Sequence, residues 1–176
     1  LIVIFVKIYI VYIFYQFFTV LSKNIIILKM GYGYGVWLVY NNTELKTEHI
    51  GHITIACFMN KDNAFNLYRN ITNILGDTAE VEIIGKPEYF PSSYYEHDTN
   101  KLCAWGYYGK CDKWDLYKNI CDKYECDFSS TPHISKEYNL YPNLLKLCAI
   151  ENKVLQCKVH CADIRSDFPV DWKLLS

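Results

Sequence analysis

The sequence GHITIACF covers residues 51–58, and the sequence TPHISKEY covers residues 131–138. In each stretch, a residue that favours turns is followed by a histidine, an isoleucine and a hydroxyl residue. The two tripeptides are His52-Ile53-Thr54 and His133-Ile134-Ser135. Their recurrence about eighty residues apart predicts a chain built from two related halves.

Side chains alternate between the two faces of a β-strand. In the first tripeptide this predicts His52 and Thr54 on one face, with Ile53, Ile55 and Cys57 on the opposite face. In the second tripeptide the histidine and the serine share a face, and the isoleucine between them points away. If the halves pack about a pseudo-twofold axis, two imidazoles and two hydroxyls converge on one cleft.

Two imidazoles and two hydroxyls suit the cleavage of a phosphodiester. A neutral imidazole takes a proton from the attacking water, and a protonated imidazole gives one to the leaving oxygen. The hydroxyls donate hydrogen bonds to non-bridging phosphate oxygens, and these bonds strengthen as negative charge grows in the transition state. This chemistry requires neither a metal nor another cofactor.

The remaining sequence alternates between strand and helix patterns. Strands are predicted over residues 34–40, 52–58, 81–84, 102–108, 133–138 and 154–164. Helices are predicted over residues 62–75, 113–124 and 143–149, with a polar loop over residues 87–100. The first half therefore contains a strand, the His-Ile-Thr strand and a helix, and the second half contains a strand, a helix and the His-Ile-Ser strand.

The composition limits the classes of protein and of partner. A chain of 176 residues has room for one ordinary domain, and its hydrophobic content of 51% favours a folded core. Lys and Arg number 18 against 19 Asp and Glu, which gives a net charge of −1. That balance argues against a protein that holds duplex DNA, or any long nucleic acid, by charge alone. Phosphate groups are therefore expected to be bound locally.

Residues 1–30 differ from the rest of the chain, since they lack Asp, Glu, Gly, Pro, Ala and Arg. The favoured interpretation is upstream sequence translated ahead of a true start at Met30. A membrane anchor within residues 1–22 is the alternative, although its uncharged stretch between Lys7 and Lys23 is shorter than the roughly 20 residues that span a bilayer. A signal peptide is disfavoured because no Ala-x-Ala-like cleavage site follows the apolar stretch.

Eight cysteines are spread over residues 57–161 without a Cys-x-x-Cys pair. The spacing lacks the paired ligands of a zinc finger or ribbon, and the only histidine beside a cysteine is His160. No metal site is therefore predicted. Reduced and mostly buried thiols in an intracellular, cytoplasmic protein are the favoured interpretation.

The paired motifs GHITIACF and TPHISKEY resemble the duplicated His-x-Thr/Ser signature of the two-histidine (2H) phosphoesterase superfamily, across residues 34–165. The superfamily includes LigT-like RNA 2′,3′-cyclic phosphodiesterases and viral 2′,5′-oligoadenylate phosphodiesterases. The resemblance implies an α+β fold over residues 31–176. It would be bilobal and duplicated about a pseudo-twofold axis, with two antiparallel sheets flanking a central cleft and helices outside.

The resemblance also implies roles for particular residues. His52 and His133 would act as general acid and base, and Thr54 and Ser135 would hold the phosphate. Lys136, Tyr138 and Trp105 are candidates for further substrate contacts, although a solvated edge lysine is the favoured interpretation for Lys136. No cofactor and no metal are implied. Lys136 departs from the family, which usually has an apolar residue there, so the second strand is expected to be less buried than the first.

The resemblance implies a monomeric enzyme that acts on 2′,3′-cyclic phosphate ends or 2′-5′ linkages of RNA or small nucleotides. Two alternatives stay open. A binding module with the same fold would recognise RNA ends or nucleotides without turnover. A membrane-anchored structural protein would require residues 1–22 to be genuine.

Other histidines and aromatic residues carry weaker signals. His49, His97 and His160 are expected to be ordinary solvated or strand histidines. The aromatic residues considered for stacking on an unpaired base are Tyr94, Tyr95, Trp105 and Tyr107. Packing in the core or at its rim is the favoured interpretation for each of them.

Overall fold

A computed structural model describes residues 33–41, 43, 45–91, 103–139, 146–166 and 169–176. The predicted leader, residues 1–30, lies outside the described residues. Residues Gly33–Ser176 form one compact unit. Among the described residues, no helix is both long enough and apolar enough to cross a bilayer.

The described residues form eight strands and two helices. In chain order they are β1 (Tyr34–Tyr40), β2 (His52–Met59), α1 (Lys61–Leu75), β3 (Thr78–Pro91), β4 (Cys103–Lys110), α2 (Trp114–Cys121), β5 (Asp127–Phe128), β6 (His133–Asn139), β7 (Lys153–Asp163) and β8 (Lys173–Leu174). A short 3₁₀ turn, Pro169–Asp171, precedes β8. The α+β class predicted from the sequence is therefore confirmed.

The described strands belong to one antiparallel sheet with the order β5-β2-β1-β7-β3-β4-β6, and β8 pairs with β7. The expectation of two separate sheets is therefore wrong. The physical reason is the length of β7. Its residues 157–163 pair with β1 while its residues 153–158 pair with β3, so this one strand joins the two halves.

Both helices pack on the same face of the sheet. Helix α1 begins after Asn60, whose side chain accepts a hydrogen bond from the backbone of Asn63 at 2.8 Å. Its buried residues are Ala64, Leu67 and Ile71, and those of α2 are Trp114, Tyr117, Ile120 and Cys121. These side chains share one hydrophobic core with inward residues of the strands, including Ile53 and Ile134. The histidines and hydroxyls of the two tripeptides are thus left on the other face.

The sheet curls so that β2 and β6, which stand far apart in its strand order, come into contact. Each of these strands begins with the histidine of one tripeptide, His52 or His133. The curl therefore brings together the two tripeptides that the sequence places about eighty residues apart.

Several element boundaries differ from those predicted. The predicted strand 81–84 is part of β3, which extends to Pro91 and so occupies the start of the predicted polar loop. Its register against β4 shifts between Ile83 and Pro87, and such a bulge accommodates glycine and proline within a strand. Residues 146–149, the described part of the predicted helix 143–149, are not helical. The two-residue strands β5 and β8 carry too short a pattern to be predicted.

A bulge in β2 changes which side chains share a face. Thr54 pairs with Trp37 and Ala56 pairs with Val36, so Ile55 is an extra residue on β2. His52 and Thr54 lie on one face, as the alternation predicts. Cys57 joins that face and packs beside Trp37, so its prediction on the opposite face is wrong.

A second bulge lies at Lys136 on β6. Gly106 of β4 pairs with Ser135, whereas the next residue towards the N-terminus of β4 pairs with Glu137. Lys136 is therefore the extra residue, and beyond it the alternation is reversed. As a result Tyr138 lies on the same face as His133 and Ser135.

Gly106 should be intolerant of any side chain. A Cβ built there would lie 1.7 Å from the carbonyl oxygen of Ile134, because β4 and β6 approach closely beside the bulge. We expect Gly106→Ala to lower the free energy of unfolding by about 1–3 kcal/mol, the usual cost of overpacking. Urea denaturation measures this. An unchanged unfolding midpoint and slope would show that the close approach is not needed.

Candidate functional site

The two histidines are held by the same local geometry. Nδ1 of His52 lies 2.7 Å from the carbonyl oxygen of Ile50, and Nδ1 of His133 lies 3.0 Å from that of Thr131. In both cases the acceptor is two residues earlier. A carbonyl oxygen can only accept, so Nδ1 carries the hydrogen and Nε2 is left as the basic nitrogen in the neutral ring.

Gly51 and Pro132, the residues directly before the two histidines, are held by equivalent backbone hydrogen bonds. The carbonyl oxygen of Gly51 accepts a hydrogen bond from the backbone N–H of Tyr40, at 3.1 Å. The carbonyl oxygen of Pro132 accepts one from Gly109, at 2.8 Å. Each histidine is therefore anchored to the neighbouring strand, β1 in one half and β4 in the other.

His52 is enclosed by aromatic rings. It stacks on Trp37 with ring centroids 3.8 Å apart and an angle of 14° between the planes. Trp172 approaches its edge at 5.7 Å, and His49 lies at 5.6 Å. Tyr138 of β6 lies 5.4 Å from His49, so this group spans both halves of the sheet. We call the five residues Trp37, His49, His52, Tyr138 and Trp172 the aromatic cluster.

Burial decides the protonation state of these imidazoles. The pKa of His52 is lowered to about 3, chiefly by burial and also by charge on His49 and His133, against the opposing effect of the hydrogen bond to Ile50. Burial also lowers the pKa of His49 and of His133. The influence of His133 on His52 places the two rings within electrostatic range of each other. All three rings are therefore neutral near pH 7.

His133 has a more open environment. Its ring is half-buried, whereas His52 is only 6% exposed. Its aromatic neighbour is Phe90 of β3, at 4.8 Å between centroids. Phe90 in turn meets the exposed ring of Tyr108 edge to face at 5.0 Å. The two histidines thus share their backbone anchor but differ in what covers them.

The hydroxyl residues of both tripeptides lie beside their histidines. Thr54 and Ser135 are half-buried. The side chain of Ser135 is hydrogen-bonded to that of Tyr138, whose pKa is raised by burial and lowered by this bond. The bulge at Lys136 makes the contact, because it places both side chains on one face. The site therefore holds three hydroxyls and two anchored imidazoles.

Two members of the aromatic cluster were not predicted. His49, expected to be solvated, is 7% exposed, and its Nδ1 lies 3.1 Å from the same Ile50 carbonyl that holds His52. Trp172 is 8% exposed and comes from the C-terminal segment, where its indole N–H donates to Ser166 at 2.9 Å. The signal available for His49 was its position three residues before His52, the first residue of β2. No local pattern marks Trp172.

The remaining predicted substrate contacts differ in position. Trp105 is 3% exposed and belongs to the core, where its indole N–H donates to Glu137 at 3.1 Å. It has almost no accessible surface, so its candidacy as a substrate contact is wrong and the favoured interpretation of core packing is confirmed. Lys136 is half-buried at the bulge, where burial lowers its pKa and its charge lowers that of His49. Its ammonium group is thus near the aromatic cluster.

The aromatic residues considered for base stacking divide into two groups. Tyr107 is 1% exposed, and its hydroxyl donates to the carbonyl of Cys148 at 2.6 Å, so it is a core residue like Trp105. Tyr94 and Tyr95 lie outside the described residues, as does His97. His160 is bonded through Nδ1 to the carbonyl of Ser176.

No group of three or more His, Cys, Asp or Glu side chains in the described part of the chain has the arrangement of a metal site. The cysteines with described side chains are free thiols, of which Cys121, Cys157 and Cys161 are buried. The expectation of mostly buried thiols is thus only partly met. A depression of about 310 Å³ lies elsewhere, bordered by residues that include Glu80 and Lys113, and neither tripeptide lines it.

Comparison of the sequence with models of known protein families finds none that matches, and comparison with curated proteins finds no match either.

The depressed pKa of His52 should appear in the pH dependence of stability. The unfolded chain binds a proton at His52 below about pH 6.5 and the folded protein does not until about pH 3, so this group destabilises the fold as pH falls. We expect His52→Gln to reduce the loss of unfolding free energy between pH 5.5 and 4.5 by about 1.4 kcal/mol. Urea denaturation at both pH values measures it. Thr54→Val, on the same strand and face, is the control that keeps the original slope.

An equal slope in His52→Gln and in the original protein would contradict the neutral, buried state assigned to His52.

Proposed function

We propose that this chain is a metal-independent phosphoesterase of the two-histidine type, acting on 2′,3′-cyclic phosphate ends or 2′-5′ linkages of RNA or small nucleotides. One observation carries the proposal. His52 and His133 each bond through Nδ1 to the carbonyl two residues earlier, in strands that the curled sheet brings together. Two imidazoles with the same tautomer on one face are what paired proton transfer requires.

The strand order supports the duplicated, bilobal form of the fold. From the β7–β3 pair at the centre, the order runs outward through β1 to β2 on one side and through β4 to β6 on the other. Because all these neighbours are antiparallel, β2 and β6 run in opposite directions, as a twofold axis between β7 and β3 requires. Each outer strand carries a histidine at its start.

The different environments suggest which histidine plays which part. His52, whose pKa is lowered to about 3, is neutral in the free protein and can accept a proton, and the negative charge of a bound phosphate raises that pKa towards the range of a general base. His133 is half-buried and more readily protonated, so it suits the general acid. The negative charge of a bound phosphate favours its protonated form.

The reaction then follows from these positions. Nε2 of His52 removes a proton from water as the water oxygen attacks phosphorus. The bond from phosphorus to the ribose oxygen breaks, and that oxygen receives the proton from Nε2 of His133. The hydroxyls of Thr54, Ser135 and Tyr138 donate hydrogen bonds to the non-bridging oxygens, whose charge grows in the transition state. The product is a phosphate monoester, and the two histidines have exchanged protonation states.

One observation favours the alternative of a binding module without turnover. His52 is 6% exposed beneath Trp37 and Trp172, and a general base must reach the attacking water. A module that binds the phosphate of RNA ends or nucleotides through its hydroxyls would not need that access. Turnover separates the two functions, since both predict binding.

The paired histidines should behave as one unit. We expect His52→Ala and His133→Ala each to lower kcat for a 2′,3′-cyclic nucleotide by about 10²–10⁴-fold, the usual contribution of a positioned acid or base. The double variant should be scarcely worse than the poorer single variant, because the two groups act together. Thr54→Val and Ser135→Ala should cost less, since proton transfer is retained. Single-turnover rates measure these effects.

His160→Ala is the matched control, because this histidine is bonded to the C-terminal residue and has no part in the proposed reaction. Losses at His52 and His133 that simply multiply would contradict the concerted mechanism. A hydroxyl variant as poor as the histidine variants would contradict a purely phosphate-holding role.

The pH dependence follows from the lowered pKa values. The reaction needs His133 protonated, and burial moves its pKa below 6.5, so the competent fraction of free enzyme falls as pH rises. We expect kcat/KM to be greatest below pH 6.5 and to fall about tenfold per pH unit on the alkaline side. The values should be the same in excess EDTA. Activity that is lost to chelator and restored by a divalent cation, or that rises towards pH 8, would contradict the mechanism.

A further inference from the structure

An accessible aromatic surface lies next to His133. Tyr108 pairs directly with His133 across β4 and β6, so their side chains leave the sheet on the same face. Its ring is 38% exposed, although it is a large aromatic side chain within a sheet. Phe90 supports it edge to face at 5.0 Å and also contacts His133 at 4.8 Å.

The two sides of the site are unequal in access. On the side of His52, Trp37 and Trp172 are 1% and 8% exposed and close over the imidazole. On the side of His133, the neighbouring Phe90 is 8% exposed, but Tyr108, which packs on Phe90, is 38% exposed. The exposed side chain of Tyr108 therefore offers a surface to a ligand whose phosphate lies between the imidazoles.

We propose that the Phe90–Tyr108 pair is a stacking platform for the base of the nucleotide whose phosphate lies between His52 and His133. The position of that phosphate rests on the proposed function. An exposed ring held by a second ring is ordered before a ligand arrives, so stacking on it costs little conformational entropy. Every base has a π-face, so the platform accepts all four bases and favours the larger purines.

The strand register explains why Tyr108, rather than Tyr107 or Trp105, forms the stacking platform. Tyr107 and Trp105 alternate with Tyr108 along β4 and point into the core. Tyr108 shares its face with Gly106 and Ala104, which are both buried, and Phe90 lies against Gly106. Tyr108 itself is exposed on this face. One position along the strand therefore separates a core tyrosine from a ligand-facing one.

The test measures binding rather than turnover. Dissociation constants for 2′-AMP, 3′-AMP, ribose 5-phosphate and inorganic phosphate are determined by isothermal titration calorimetry. We expect Tyr108→Ala to weaken the binding of both nucleotides by about 5- to 150-fold, the range given by base–aromatic stacking, and to leave the two baseless ligands unchanged. Tyr108→Phe should keep nearly all of the nucleotide affinity, because the ring is retained.

Tyr89→Ala is the matched control. Tyr89 is 50% exposed on the adjoining strand but pairs with Trp105, so it lies on the opposite face of the sheet. Its variant should bind all four ligands as the original protein does. Tyr108→Phe keeps the ring that packs on Phe90, so it should keep the original thermal unfolding midpoint. Circular dichroism checks that Tyr108→Ala is folded at the temperature of the titration.

The outcomes separate this proposal from the proposed function. If nucleotide binding depends on Tyr108 but cyclic nucleotides are not hydrolysed, the stacking platform stands and the proposed enzyme function is refuted. If the protein hydrolyses cyclic nucleotides but Tyr108→Ala does not change its affinity for nucleotides, the proposed enzyme function stands and the platform is refuted. The platform is also refuted if the original protein binds the nucleotides no more tightly than it binds ribose 5-phosphate.

Discussion

The hydrogen bond from each imidazole Nδ1 to the carbonyl two residues earlier is the constraint on which the site depends. It sets the tautomer, so Nε2 is the nitrogen available for proton transfer. The intervening residues, Gly51 and Pro132, are themselves bonded to the neighbouring strands, which fixes each histidine relative to the sheet. The curl of that sheet then determines the approach of the two imidazoles. Local backbone geometry and global topology must both be correct before any paired chemistry is available.

The sequence predicts what depends on short-range alternation. The shared faces of His52 with Thr54 and of His133 with Ser135 follow from the period of a strand, and the register confirms both. Bulges break that period. Ile55 and Lys136 are each an extra residue whose position depends on the partner strand, so the faces of Cys57 and Tyr138 could not be predicted locally.

Contacts between distant segments explain the other differences. Trp172 stands about 120 residues from His52, and nothing in its neighbourhood indicates that it covers an imidazole. His49 was predicted to be solvated because its neighbours are polar, yet the approach of β6 buries it against Tyr138. The single sheet likewise depends on how β7 pairs along its length. The first histidine is covered and the second is half-buried, so two similar motifs have unequal environments. The proposed function uses this difference to assign the general base to one and the acid to the other.

The central claim is that both Nε2 atoms face one anion. Nitrogen NMR of protein labelled at histidine, titrated with 3′-AMP at constant pH, tests it most directly. The account predicts that both rings begin as the neutral tautomer protonated at Nδ1. The Nε2 signals of His52 and His133 should then shift together, with one dissociation constant and one saturation point. A shift confined to one of these histidines, or two different dissociation constants, would contradict a shared site.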